Sequence, residues 1–127
     1  MGKGTKYRLG DLQLKIMKVL WDRGSATVAE VQAGLAGEKL AYTTVATMLR
    51  KMEDRGLVDH REQDRRFVYR PLVSADEVRR SMADDLVDRL FGGSLSRAVS
   101  HLLQTREISR EELVQLEKTI QARKKQP

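Results

Sequence analysis

The stretch from Ala41 to Gly56, AYTTVATMLRKMEDRG, constrains the fold of this chain more than any other. Val45, Leu49 and Met52 fall at i, i+4 and i+7, the spacing of one apolar stripe on a helix. Thr44, Thr47 and Lys51 fall at i, i+3 and i+7 on a second face, with Arg50 beside them. The expected helix is anchored on one side and offers short hydroxyls and positive charge on the other. Such a face suits the major groove of DNA, where base edges and phosphates are reached together. Alone, the same pattern also describes an ordinary amphipathic helix with a solvated polar face. The flanking segments have to decide.

Upstream, the spacing predicts a helix over Asp11–Arg23, with Gly10 at its N-cap and Gly24 at its end. Leu9 and Leu14 stand at hydrophobic-staple spacing, and Ile16, Met17, Leu20 and Trp21 supply the buried face. Thr27-Val28-Ala29-Glu30 is a capping box opening a second short helix with the stripe Val28, Val31 and Leu35. Two short helices joined by a brief turn, the second with a polar outer face, make a helix-turn-helix pattern. Downstream, Leu57–His60 reads as a short strand, Arg61–Arg65 as a polar turn and Arg66–Arg70 as a returning strand stopped by Pro71. Phe67 and Tyr69 alternate with Val68, the period of a half-buried ribbon. The order helix, helix, helix, hairpin is that of a winged helix-turn-helix domain. Arg61, Arg65 and Arg66 are expected at the wing tip, placed to grip phosphates or enter a minor groove.

Charge agrees with this reading. The 127 residues carry 24 Lys/Arg against 18 Asp/Glu, a net charge of +6. Residues 1–71 hold 14 basic against 9 acidic residues, a net +5, whereas residues 72–127 hold 10 against 9. The excess lies in the segment with the candidate reading helix and points to a polyanionic partner. No apolar run is long enough to span a membrane, and MGKGTKYRLG lacks both the core of a secretory signal and a match to the myristoylation pattern. Cysteine is absent, so neither a disulfide framework nor a thiolate metal site is available. A cytoplasmic location is expected.

The segment 72–127 reads as three amphipathic helices. Ser74-Ala75-Asp76-Glu77 opens the first, with Val78, Met82, Leu86 and Leu90 recurring every four residues until Gly92-Gly93. Ser94 caps a second that carries Leu95, Val99, Leu102 and Leu103. Ser109-Arg110-Glu111-Glu112 opens a third with Leu113, Leu116 and Ile120. Three such helices with little aromatic mass make a marginal core, and a second copy of the chain is the economical cover for their stripes. The expected fold is therefore mainly α, a winged helix-turn-helix domain over 1–71 and a helical dimerisation region over 72–127. Val78, Met82, Leu86, Leu90, Val99, Leu103, Leu113, Leu116 and Ile120 are the expected dimer contacts.

Enzymatic chemistry finds little support. No H-E-x-x-H, phosphate-loop or dinucleotide motif occurs, and the two histidines, His60 and His101, have no cysteine to join them. Asp84, Asp85 and Asp88 form an acidic cluster with Arg80 and Arg89 near it in sequence. No metal and no cofactor are expected.

With these residues in view, the chain resembles the penicillinase-repressor family of bacterial transcription factors, the BlaI/MecI/CopY group, from about Leu9 to Lys125. The resemblance is carried by LGDLQLKIMKVLW, AYTTVATMLRKMEDRGLV, RRFVYRP and LFGGSL, the second being the most specific. It implies a dimeric repressor of double-stranded, inverted-repeat operators with TACA/TGTA-type half-sites. On matching positions it makes Thr43, Thr44 and Thr47 the major-groove readers. Arg50 and Lys51 would then lie near the backbone, with Arg65 and Arg66 in the wing. In many members a membrane-bound sensor protease triggers cleavage in the penultimate helix, commonly at an Asn-Phe bond. The dipeptide at that place here is His101-Leu102, a departure from the pattern. The copper-responsive branch carries a C-terminal cysteine motif that this chain lacks. Two other functions compete, a winged-helix regulator with a small ligand in its C-terminal helical body and a winged helix used only for protein interaction.

Overall fold

A computed structural model describes residues 7–127. The expectations about a leader or an acylation signal fall mainly on residues 1–6, outside the described part. In chain order the elements are α1 (Asp11–Arg23), β1 (Ala26–Thr27), α2 (Val28–Gly34), α3 (Tyr42–Asp54), β2 (Val58–Gln63), β3 (Arg66–Pro71), α4 (Ala75–Phe91), α5 (Leu95–Thr105) and α6 (Arg110–Lys124). A single 3-10 turn, Ala36–Glu38, lies between α2 and α3. Helices dominate, and the three strands form one antiparallel sheet in the order β1-β3-β2. The fold is a winged helix-turn-helix followed by helices, as the pattern of stripes and turns predicts. Among the described residues no helix is long and apolar enough to cross a membrane.

Local chemistry accounts for most of the boundaries. The Gly10 N–H donates to Gln13 Oε1 at 3.2 Å, and Gly24 closes α1 with φ 85°. The Thr27 hydroxyl accepts from the Glu30 N–H while Glu30 Oε1 accepts from the Thr27 N–H at 2.8 Å, a complete capping box. Ser74 and Glu77 repeat the arrangement at α4, both bonds at 3.0 Å. Ser94 and Ser109 cap α5 and α6 through their hydroxyls.

The chain divides into two compact units, residues 1–83 and 84–127, so the division falls inside α4 rather than at the expected 71/72. The first unit is built on Ile16, Met17, Leu20, Val31, Val45, Leu49, Met52, Leu57 and Val58, all with essentially no exposed surface. Trp21 is half-buried, and its indole N–H donates to the Val73 carbonyl at 2.8 Å. Val78 belongs to this same core and Met82 packs against it. The stripe on α4 is therefore not one dimer surface. Its first half is already covered by the chain's own head, because α4 begins against α1.

In the second unit Ala98 alone is buried among the described residues. Leu86, Leu90, Leu95, Leu102, Leu103, Leu113, Val114, Leu116 and Ile120 are all exposed, Leu90 at 70% and Leu95 at 66%. Gly92 and Gly93, with φ 59° and 84°, make the break between α4 and α5. The Phe91 ring lies 5.6 Å from that of His101.

Candidate nucleic-acid interface

The candidate interface is built on α3, whose stripe Val45, Leu49 and Met52 is fully buried. Helical geometry turns Thr43, Thr47, Arg50 and Lys51 to the opposite side, with Thr44 at its edge. All five are exposed. Ala41, at the N-cap, supplies no side-chain hydrogen bond, which leaves the first N–H groups of α3 open toward an anion. Side-chain hydrogen bonds hold the helix in place at both ends. Gln32 Nε2 donates to the Leu40 carbonyl at 2.9 Å, fixing the turn that enters α3. At its far end, Arg55 donates to Gln13 Oε1 at 3.0 Å and to the Arg8 carbonyl at 2.7 Å. Tyr42, on neither face described in the sequence, is exposed beside Thr43. Its place as first residue of the helix is the only sequence signal for it.

The wing is longer and tighter than the expected hairpin. β2 runs on to Gln63, which pairs with Arg66, so the turn is just Asp64 and Arg65. Both have positive φ, 52° and 65°, as a two-residue hairpin turn with primed geometry requires. Asn-Gly or Asp-Gly would announce such a turn, and Asp-Arg does not. Arg65 is thus at the tip and Arg66 at the first position of the return strand. Arg61 is not at the tip. It pairs across from Val68 and lines a groove of about 340 Å³ with Gly24, Ser25, Asp59 and Arg70.

Register sorts the two faces of the hairpin. Asp59 and Arg70 face each other on one side, with guanidinium–carboxylate bonds of 2.7 and 3.1 Å. That bond from Arg70 holds the Asp59 carboxyl below its ordinary pKa and raises that of the guanidinium. On the other side His60 stacks on Phe67, ring centroids 4.2 Å apart, and meets Tyr69 at 5.3 Å. His60 Nδ1 also lies 2.7 Å from Glu53 Oε1, which ties the wing to the last turns of α3. Tyr69 is buried, and loss of water raises its phenol pKa. Phe67, expected to share that burial, is 47% exposed because the ribbon has by then run beyond the body of the domain.

The cations differ in what they do. Lys15 pairs with Glu38 at 2.6 Å, Arg23 with Glu30 at 2.9 Å, and Arg55 and Arg70 are tied as described. Arg50, Lys51, Arg65 and Arg66 make no hydrogen bond or ion pair among the described residues, and all four are exposed. Unpaired positive charge is thus found on the α3 face and at the wing tip. No group of three or more His, Cys, Asp or Glu side chains among the described residues is placed to hold a metal ion.

The sequence pattern of the penicillinase repressor family matches residues 9–122, nearly the whole chain. The chain belongs to that family. It is 37% identical to the transcriptional regulator BlaI of Mycobacterium tuberculosis over 100 residues, covering 76% of this chain and 72% of that one. It is 26% identical to the penicillinase repressor of Bacillus licheniformis over 118 residues, 92% of each chain. Among solved structures, the DNA-binding domain of the repressor BlaI superposes with a TM-score of 0.50 at 29% identity. That match covers 57% of this chain and 93% of the other. The likeness therefore includes the winged head and, in sequence, the helices that follow.

Proposed function

We propose that this penicillinase-repressor family member is a sequence-specific transcriptional repressor that binds an inverted-repeat operator as a homodimer. The observation that carries the reading is the α3 face. Thr43, Thr44 and Thr47 stand exposed over a fully buried anchor, next to Arg50 and Lys51 without ion partners. Threonine hydroxyls and methyls contact base edges, while unpaired cations replace the counterions of phosphates. Arg65 and Arg66 extend the basic surface along the wing, and Tyr42 adds a further contact at the start of α3. The homodimer rests on the second unit, where Leu86, Leu90, Leu103, Leu113, Leu116 and Ile120 are exposed in a single chain. So much uncovered apolar surface is the mark of an interface. A two-fold dimer in turn calls for a two-fold operator.

Inactivation by a membrane sensor protease would act on the exposed His101-Leu102 bond in α5. One experiment tests the main reading. The purified protein is mixed with sheared DNA from its own source, and bound fragments are sequenced. Recovery of a shared motif with two inverted half-sites is the expected result. Fragments without a common motif would leave only non-specific binding, and no retained DNA at moderate salt would favour a protein-interaction module.

A further inference from the structure

Away from α3 and the wing, the first unit holds a pocket of about 550 Å³ between α1 and the opening turns of α4. Its floor is apolar, made by Leu14, Trp21, Val78 and Met82. Trp21 is pinned there, because its indole N–H is already bonded to the Val73 carbonyl. The ring therefore presents carbon surface to the pocket and keeps no free donor. Lys18 and Arg79 stand at the mouth, exposed and without hydrogen bond or ion pair among the described residues. Asp22 is the one carboxylate beside them. A site of this volume, apolar within and charged at the rim, has the make-up of a small-molecule site.

We propose that this pocket binds a small organic monoanion with an apolar body, such as an aryl- or alkyl-carboxylate. The body packs on Trp21 and Met82 and the carboxylate is held at the mouth by Lys18 and Arg79. Two cations against one carboxylate leave one net positive charge, which selects a single negative charge over a cation or a neutral head. No residue of the proposed DNA face lines the pocket, so the site stands or falls independently of the DNA-binding reading.

Trp21 is the only tryptophan in the chain, so its fluorescence reports on the pocket directly. The full-length protein is titrated with 4-phenylbutyrate, 4-phenylbutanol and 4-phenylbutylamine, and the titration is repeated on Lys18→Gln/Arg79→Gln, a change of two exposed side chains. The expected result is a saturable change with the carboxylate, at least roughly tenfold tighter than with the amine, the preference vanishing in the double variant. No saturable change up to about 10 mM would overturn the proposal, since weaker binding is not selective. Equal binding of all three compounds would overturn it as well. A Trp21 signal that changes on diluting the protein alone would show a second copy in the pocket, and the proposal would fail.

Discussion

Arg65 occupies the wing turn with φ 65°, a conformation that crowds its Cβ and that glycine adopts freely. Arg65→Gly is therefore expected to stabilise the protein by about 1 kcal/mol in urea denaturation. The same change should weaken binding to every DNA sequence and lower the salt slope by about one. Arg66→Ala should show the second effect without the first. Thr44→Ala and Thr47→Ala should instead relax base preference, by about 1 kcal/mol per lost contact, with the salt slope unchanged. If the threonine variants lost affinity equally for all sequences, the assigned roles would be wrong. Titration offers a further check. Asp59 is held below its ordinary pKa by the bond from Arg70, and Glu30 by the backbone N–H of Thr27. Each contributes stability that is fully present above the unfolded carboxylate pKa and is lost as pH falls toward the lower folded value. Asp59→Asn should accordingly lower the melting temperature slightly at neutral pH and leave strongly acid pH little affected, which flattens the acid side of the profile.

At the scale of elements, the helices were largely legible because their signals are redundant. α1 and α4 have a cap or a glycine at each end and α3 is followed by Gly56, so periodicity and punctuation agree at these boundaries. Burial of Val45, Leu49 and Met52 then aims the polar face of α3. Leu49→Ala should cost about 3 kcal/mol by chemical denaturation and reduce DNA binding through the fold rather than through contact. The strands were less legible. β1 is two residues long, too short for any period, and forms only because Ala26 and Thr27 pair with Tyr69 and Val68. The length of β2 was hidden by its polar residues, Arg61, Glu62 and Gln63, which read as loop but stand on a ribbon with solvent on both sides. That longer strand is also what moves Arg61 away from the tip. The pocket beside Trp21 left no pattern, since it depends on residues of α4 far away in the chain.

Across the whole molecule, basic charge lies with the reading head and exposed leucine with the helical body. Leu90→Asp and Leu95→Asp place charge on the most exposed apolar positions of the second unit. Sedimentation should shift these variants to the 14.5 kDa monomer and binding to a two-half-site operator should fall at least about tenfold. The melting of the head should stay the same. An unchanged dimer would move the interface elsewhere. α4 itself belongs to both units, and this bears on how the protein can be dissected. A fragment ending at residue 71 would discard Val78 and Met82, leaving the floor beside Trp21 open to water. It would also remove Ser81, whose hydroxyl accepts the Tyr7 N–H at 2.8 Å. A fragment ending at 83 keeps all of these and should be more stable by about 3 kcal/mol or more. The head has no seam at its last strand, and anyone wishing to work with it alone must carry away the root of the helix that follows.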